Sequence, residues 1–299
     1  MGKIVPLVTL LVSLAVGSTA SAAPSPRPVP EPSASAATDG AAPPVHLALH
    51  KAVYDLSLAR AERGGIVAFA GSLTFRVDAA CTGWTNSVHL DVMVRNSQGL
   101  ETNNVMEYSA WESFDGNDLS FYSRLLSNDR VQEITEGSVR RDAKPKAGVQ
   151  PIIARFVKPE AEDVVVAAGA LFPNAYTRGV VQAGLEGRPF MSASLFDGSV
   201  PGAGSLVATA LTPVTSDPSA KRLDSPLLKT RGWMVSMAYF LSGDEGADGS
   251  SGDGVSSHEL RGVLHENGVI SDMVLDYGSF SVNAKLKSLE ALPQPDCGG

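Results

Sequence analysis

The chain predicts an all-β fold: a large antiparallel sheet curled into a spiral or open barrel, with one short helix inside. Three features point there. Apolar residues alternate with polar ones over many strand-length segments, turn-forming residues separate those segments, and a single stretch carries helical spacing. The pattern opens with Val45, Leu47 and Leu49 and continues through Val53, Leu56 and Leu58. It turns at Arg63-Gly64-Gly65 and resumes over 66–77, as a long hairpin would. Val88, Leu90, Val92 and Val94 then alternate strictly, Ser97-Gln98-Gly99 turns the chain, and another run covers 105–111. Asp115-Gly116-Asn117 turns it again before Leu119, Phe121 and Leu125. Further strand segments are read at 149–157, at 189–196 ending in Asp197-Gly198, at 206–214 and at 233–241. The last are 260–264 ending in Asn267-Gly268, 269–275 and 280–286. A sheet of so many antiparallel strands must curl, close or split to cover its apolar face and protect its edges.

The helix is predicted over 175–186. Asn174 follows Phe172-Pro173 as a candidate cap, Tyr176, Val180, Ala183 and Gly184 recur at helical spacing, and Gly187 stands beyond the end. An isolated helix of about a dozen residues is marginal in water. It is therefore expected inside the curl, with Tyr176 and Val180 against the inner wall of the sheet.

Residues 1–22 read as an export signal: a positive start at Met1-Gly2-Lys3, an apolar core over 4–17 and the small residues Ala20-Ser21-Ala22, with cleavage expected after Ala22. The apolar stretch is short for a membrane span and contains Pro6. Residues 23–44 are almost wholly Ala, Pro, Ser and Thr, a flexible tether without apolar bulk to bury. Residues 45–299 then form a single domain. The two cysteines, Cys81 and Cys297, would enter an oxidising compartment, where they have one intramolecular pairing and are expected to form a disulfide. A CxxC redox motif and zinc spacing are both absent from the sequence.

Charge and motifs exclude several functions. A formal net charge of −8 repels nucleic acid, and Arg140, Arg141, Lys144 and Lys146 lie among turn formers, as in a solvated loop. Glu112 and Asp115 beside Trp111 are a candidate carboxylate pair under an aromatic platform, the equipment of an enzyme that hydrolyses envelope polysaccharide. The same residues also read as a strand end followed by a turn that Asp, Gly and Asn form unaided. The acidic, Gly-rich loop 244–254 offers oxygen ligands for a weak cation site but lacks the alternation and closing Glu of an EF-hand loop. Neither His258-Glu259 nor His265-Glu266 has the second histidine that a zinc protease helix requires, and His50 and His89 read as sheet residues. The sequence carries no G-x-S-x-G elbow, P-loop or G-x-G-x-x-G fingerprint. No catalytic, metal or cofactor-binding residue is assigned.

An ordered set of short segments carries a family likeness. They are Leu49-His50-Lys51-Ala52-Val53-Tyr54-Asp55-Leu56, Cys81-Thr82-Gly83-Trp84, and Trp111-Glu112 ahead of Asp115-Gly116. Leu171-Phe172-Pro173, Phe196-Asp197-Gly198-Ser199 and Tyr239-Phe240 follow, then Glu266-Asn267-Gly268-Val269, Asp276-Tyr277-Gly278 and the tail 289–297. Across 46–297 the chain resembles the EipB family of cell envelope integrity proteins of alphaproteobacteria. The resemblance implies a periplasmic, non-enzymatic protein: a spiral of antiparallel strands around one short helix, loosely similar to lipoprotein carriers, with the cysteines placed as the family's stabilising disulfide. It implies a role in stress resistance of the envelope, with other periplasmic or outer-membrane components as partners, including lipoprotein or lipid, and no cofactor. The chain departs from the family pattern at Tyr176, where a histidine is expected, and in the insertion over 243–254.

Overall fold

The computed structural model describes residues 44–141, 152–199, 202, 204–241 and 256–298. Residues 1–22, read above as an export signal, nearly all of 23–44, read as a tether, and Lys144, Lys146 and 244–254 lie outside the described residues. Fourteen strands form one sheet. In chain order they are β1 (His50–Ala61), β2 (Ile66–Ala80), β3 (Gly83–Asn96), β4 (Glu101–Ser113), β5 (Asp118–Ser127), β6 (Arg130–Arg140), β7 (Ile152–Lys158) and β8 (Glu162–Val166), followed by β9 (Phe190–Leu195), β10 (Ser205–Val214), β11 (Gly232–Leu241), β12 (His258–His265), β13 (Ile270–Asp276) and β14 (Phe280–Ala291). Every strand pairing is antiparallel, and the spatial order runs from β8 back to β1, then β14 back to β9. The first and last strands are thus neighbours at the centre, and β8 and β9 are the two edges.

Alternation decides which residues face inward. His50, Ala52, Tyr54 and Leu56 of β1 are buried at every second position, and their partners on β2 are Val77, Phe75, Leu73 and Gly71. That row structure, with successive side chains on opposite faces, places the core on one side of the sheet. The sheet curls so far that its inner face meets itself. The hydroxyl of Tyr108 on β4 donates to the Asp197 carbonyl just beyond β9 at 2.9 Å, although the two strands are far apart in the sheet order. Phe121 of β5, Phe156 of β7 and Phe196 pack together with ring centroids 5.3 to 6.4 Å apart. Phe121 also lies directly over Gly198, whose φ is +69° and where a Cβ would fall 2.2 Å from the ring, so turn and contact both require glycine there.

The two edges are joined by the helix. After β8 the chain runs beside β9, where the Leu171 N–H donates to the Ser194 carbonyl at 2.7 Å and the Phe196 N–H donates to the Leu171 carbonyl at 2.9 Å. It then enters α1 (Pro173–Leu185). The sequence expectation placed Asn174 at the cap. The structure puts Phe172 there with Pro173 as the first helical residue, because proline's fixed φ suits that position. Gly187, at φ +72°, ends the helix as expected: its N–H donates to the Gly184 carbonyl and the Arg188 N–H to the Ala183 carbonyl, a Schellman closure.

A second helix, α2 (Pro218–Leu223), and a 3-10 turn (Pro226–Leu228) lie in the β10–β11 connection. These were not expected from the sequence, nor were β6 and β8. Leu223, Leu227 and Leu228 pack into the main core, and Arg222 donates to Asp272 and to the Leu286 carbonyl.

Candidate functional site

Cys81, in the turn between β2 and β3, and Cys297, beyond β14, are disulfide-bonded with Cα atoms 5.5 Å apart. The bond ties the C-terminal tail to the sheet.

The helix α1 lies inside the curl. Tyr176, Val180, Val181 and Ala183 are buried with Val207, Leu211, Trp233, Val235 and Met237 of β10 and β11. Tyr176 also shares a 2.6 Å hydroxyl–hydroxyl hydrogen bond with Thr209. The inward positions of Tyr176 and Val180 therefore follow the sequence reading. Phe172, in the capping position, has no side chain to satisfy the first N–H groups of the helix. Glu112, on β4, supplies the acceptor. Its carboxylate receives the Asn174 N–H at 2.7 Å, the Asn174 side-chain amide at 3.0 Å and the Ala175 N–H at 2.9 Å. Burial pushes the Glu112 pKa up, and these donors oppose that shift.

Asp115 takes different partners. It accepts from the Ser113 hydroxyl, the Asn117 N–H and the Asn117 side-chain amide in its own exposed turn, which holds its pKa below the ordinary carboxylate value. The candidate pair Glu112 and Asp115 thus shares no hydrogen-bond partner: one carboxylate anchors a helix inside the curl and the other closes a turn outside it.

The histidines divide into distinct environments. His89 is exposed. His258 is stacked between Tyr239 at 4.2 Å and Tyr277 at 5.9 Å, and burial holds its pKa down to about 4. His265 faces Asp217 across 3.2 Å in the interior. Among the described residues no group of three or more His, Cys, Asp or Glu side chains is placed to hold a metal ion.

A cavity of about 210 Å³ opens beneath the first turn of α1. Its wall is mostly apolar and comes from strands remote in the sheet: Phe75 and Val77 of β2, Val88 of β3, Met106 of β4 and Met237 of β11. Polar side chains interrupt that wall, among them His50, Asn86 and Asp197. Asp197 reads in the sequence only as a strand end and part of a family segment, and Asn86 carries no motif. A signal existed for Asn86, which shares its parity with the alternating Val88, Leu90, Val92 and Val94 and so places an amide on the apolar face of β3.

The geometry has relatives. A family model described as EipB-like matches residues 41–293. The chain is 28% identical over 262 residues to the cell envelope integrity protein EipB of Brucella abortus (strain 2308), covering 85% of this chain and 88% of that one. It also superposes, with a TM-score of 0.71 and 24% identity, on a crystal structure described as a beta-barrel-like protein of domain of unknown function DUF1849 from Brucella abortus, covering 83% of this chain and all of that one. The curled sheet, the enclosed helix and the match over most of its length place this chain in the EipB-like family.

Proposed function

We propose that the protein is a non-enzymatic component of the periplasm that supports cell envelope integrity by binding the apolar part of an envelope protein, lipoprotein or lipid. The observation that carries this reading is the apolar cavity inside the curl, bounded by α1 and by strands from both halves of the sheet. A concave, mostly apolar pocket with a few polar groups is the usual form of a ligand site. The name of the Brucella abortus relative supports the envelope role. Against hydrolysis stands Glu112, whose carboxylate is committed to the start of α1.

The test is proximity crosslinking in living cells, with identification of the captured envelope components, together with mass spectrometry of molecules that copurify with the protein. The reading expects a captured envelope component or a bound apolar molecule. Purified protein that carries nothing, captures nothing and releases sugars from envelope polysaccharide would overturn it.

A further inference from the structure

The polar atoms around the cavity are unevenly satisfied. His50 is only 2% exposed, and its Nδ1 lies 2.8 Å from the Ala48 carbonyl. A carbonyl can only accept, so Nδ1 carries the proton. Burial lowers the pKa of the ring, which is therefore neutral at neutral pH. Nε2 is then left with a bare lone pair, and it has no hydrogen-bond partner. Asn86, 4% exposed, has the same deficit at Oδ1. The two residues stand in one cross-strand row: His50 of β1 is opposite Val77 of β2, and Val77 is opposite Asn86 of β3. Residues directly opposite one another share a face of the sheet, and the outer two of this row are separated by two strand spacings, about 10 Å.

Three hydroxyls on the same wall are already engaged elsewhere. The Tyr108 hydroxyl donates to the Asp197 carbonyl, the Ser199 hydroxyl to the Asp197 carboxylate, and the Thr177 hydroxyl to the Pro173 carbonyl. A buried acceptor left alone is costly, so native proteins keep few of them, and each calls for a water, ion or ligand. Here two belong to residues that line the same apolar cavity. An apolar hole of about 150 Å³ is large enough to take benzene, and this one is larger.

We infer that the cavity binds an apolar chain bearing a hydrogen-bond donor, an alcohol O–H or amide N–H, which lies over Val77 and donates to His50 Nε2 or Asn86 Oδ1. This deepens the reading of the curl as a binding protein and rests on it. The Asp197 carboxylate on the same wall disfavours an anionic head group.

The experiment titrates the intact mature protein with octan-1-ol, with its isomer 1-methoxyheptane, which has no donor, and with octanoate. Calorimetry gives the affinities, and the ¹⁵N shift of the His50 ring reports on Nε2. Octan-1-ol is expected to bind about tenfold more tightly than the ether, the value of one net hydrogen bond, with a change in the His50 ¹⁵N shift. Asn86→Leu should narrow that preference without lowering the melting temperature, and His50→Phe, which also loses the bond to the Ala48 carbonyl, should narrow it in the folded protein. Equal affinity for alcohol and ether in the native protein overturns the donor selection while leaving an apolar binding site in place. Failure of all three probes to bind overturns the selection together with the cavity as a binding site. A high-resolution structure from the octan-1-ol mixture with only water on His50 and Asn86, or octanoate as the tightest probe, also overturns it. The comparison of isomers needs no variant, so a misfolded substitution cannot hide the answer.

Discussion

Two regions of the inner face differ in how completely they are filled. Around Phe121 the curl is packed solid, with rings from β5, β7 and the segment after β9 in mutual contact and glycines at 137 and 198 admitting the ring. A second stack, Tyr239, His258, Tyr277 and Phe280, runs from β11 to β14 and reaches the cavity wall at Tyr239. Beneath the first turn of α1 the packing stops, and the unpartnered atoms of His50 and Asn86 belong to residues that line the space. Polar groups in a gap are costly to a structure that only needs to be stable. The difference separates the part of the interior that holds the fold from the part available to a ligand.

Perturbations should respect that division. The largest effect is expected from Cys297→Ser, which opens a loop with a sequence separation of 216. The chain-entropy model gives about 5 kcal/mol, so calorimetric melts should fall steeply and both regions should lose stability together. Phe121→Ala leaves a void in the filled region and should cost about 4 kcal/mol by denaturant unfolding, with binding to the cavity retained in the folded fraction.

His258 adds a pH test. Its pKa falls from 6.5 to about 4 on folding, so between those values the unfolded chain takes up a proton that the folded protein refuses. The stability from this group is complete above pH 6.5 and is lost as pH falls towards 4, by about 3 kcal/mol in all. His258→Phe, which keeps a ring in the stack, should flatten the stability curve in that window. The smallest loss is expected from Glu112→Gln, about 2 kcal/mol, because an acceptor remains for the start of α1 but its charge does not. This substitution should also weaken cavity binding, whereas His258→Phe should not.

Much of the fold was legible in the sequence. Alternation in β1, β2 and β3 and the turns at Gly64, Gly99, Gly116 and Gly268 mark the hairpins, and the spacing of Tyr176, Val180 and Ala183 marks α1. The strand β6 escaped because, apart from Thr135 and Val139, its residues are exposed or only half-buried, which leaves little alternation to read. The helix α2 carried a local signal that went unread: Asp217 precedes Pro218 and accepts from the Ser219 N–H, just as Ser225 precedes Pro226 and accepts from the Leu227 N–H. The role of Glu112 was not legible, since its partners lie 62 and 63 positions away and meet it only when the curl forms. The same holds for the cavity, whose wall draws on the chain from Leu47 to Gly268.

The account depends most on the cavity being a site rather than a packing defect, and filling it with Val77→Phe tests that directly. Val77 stands between His50 and Asn86 in the cross-strand row, and a larger apolar side chain there occupies the space without adding a polar group. Native mass spectrometry of the parent and the variant, each purified from its own cells, should show an apolar molecule bound to the parent and absent from a variant that melts at least as high. A parent that carries no molecule, or a filled variant that keeps the same one, would contradict the account.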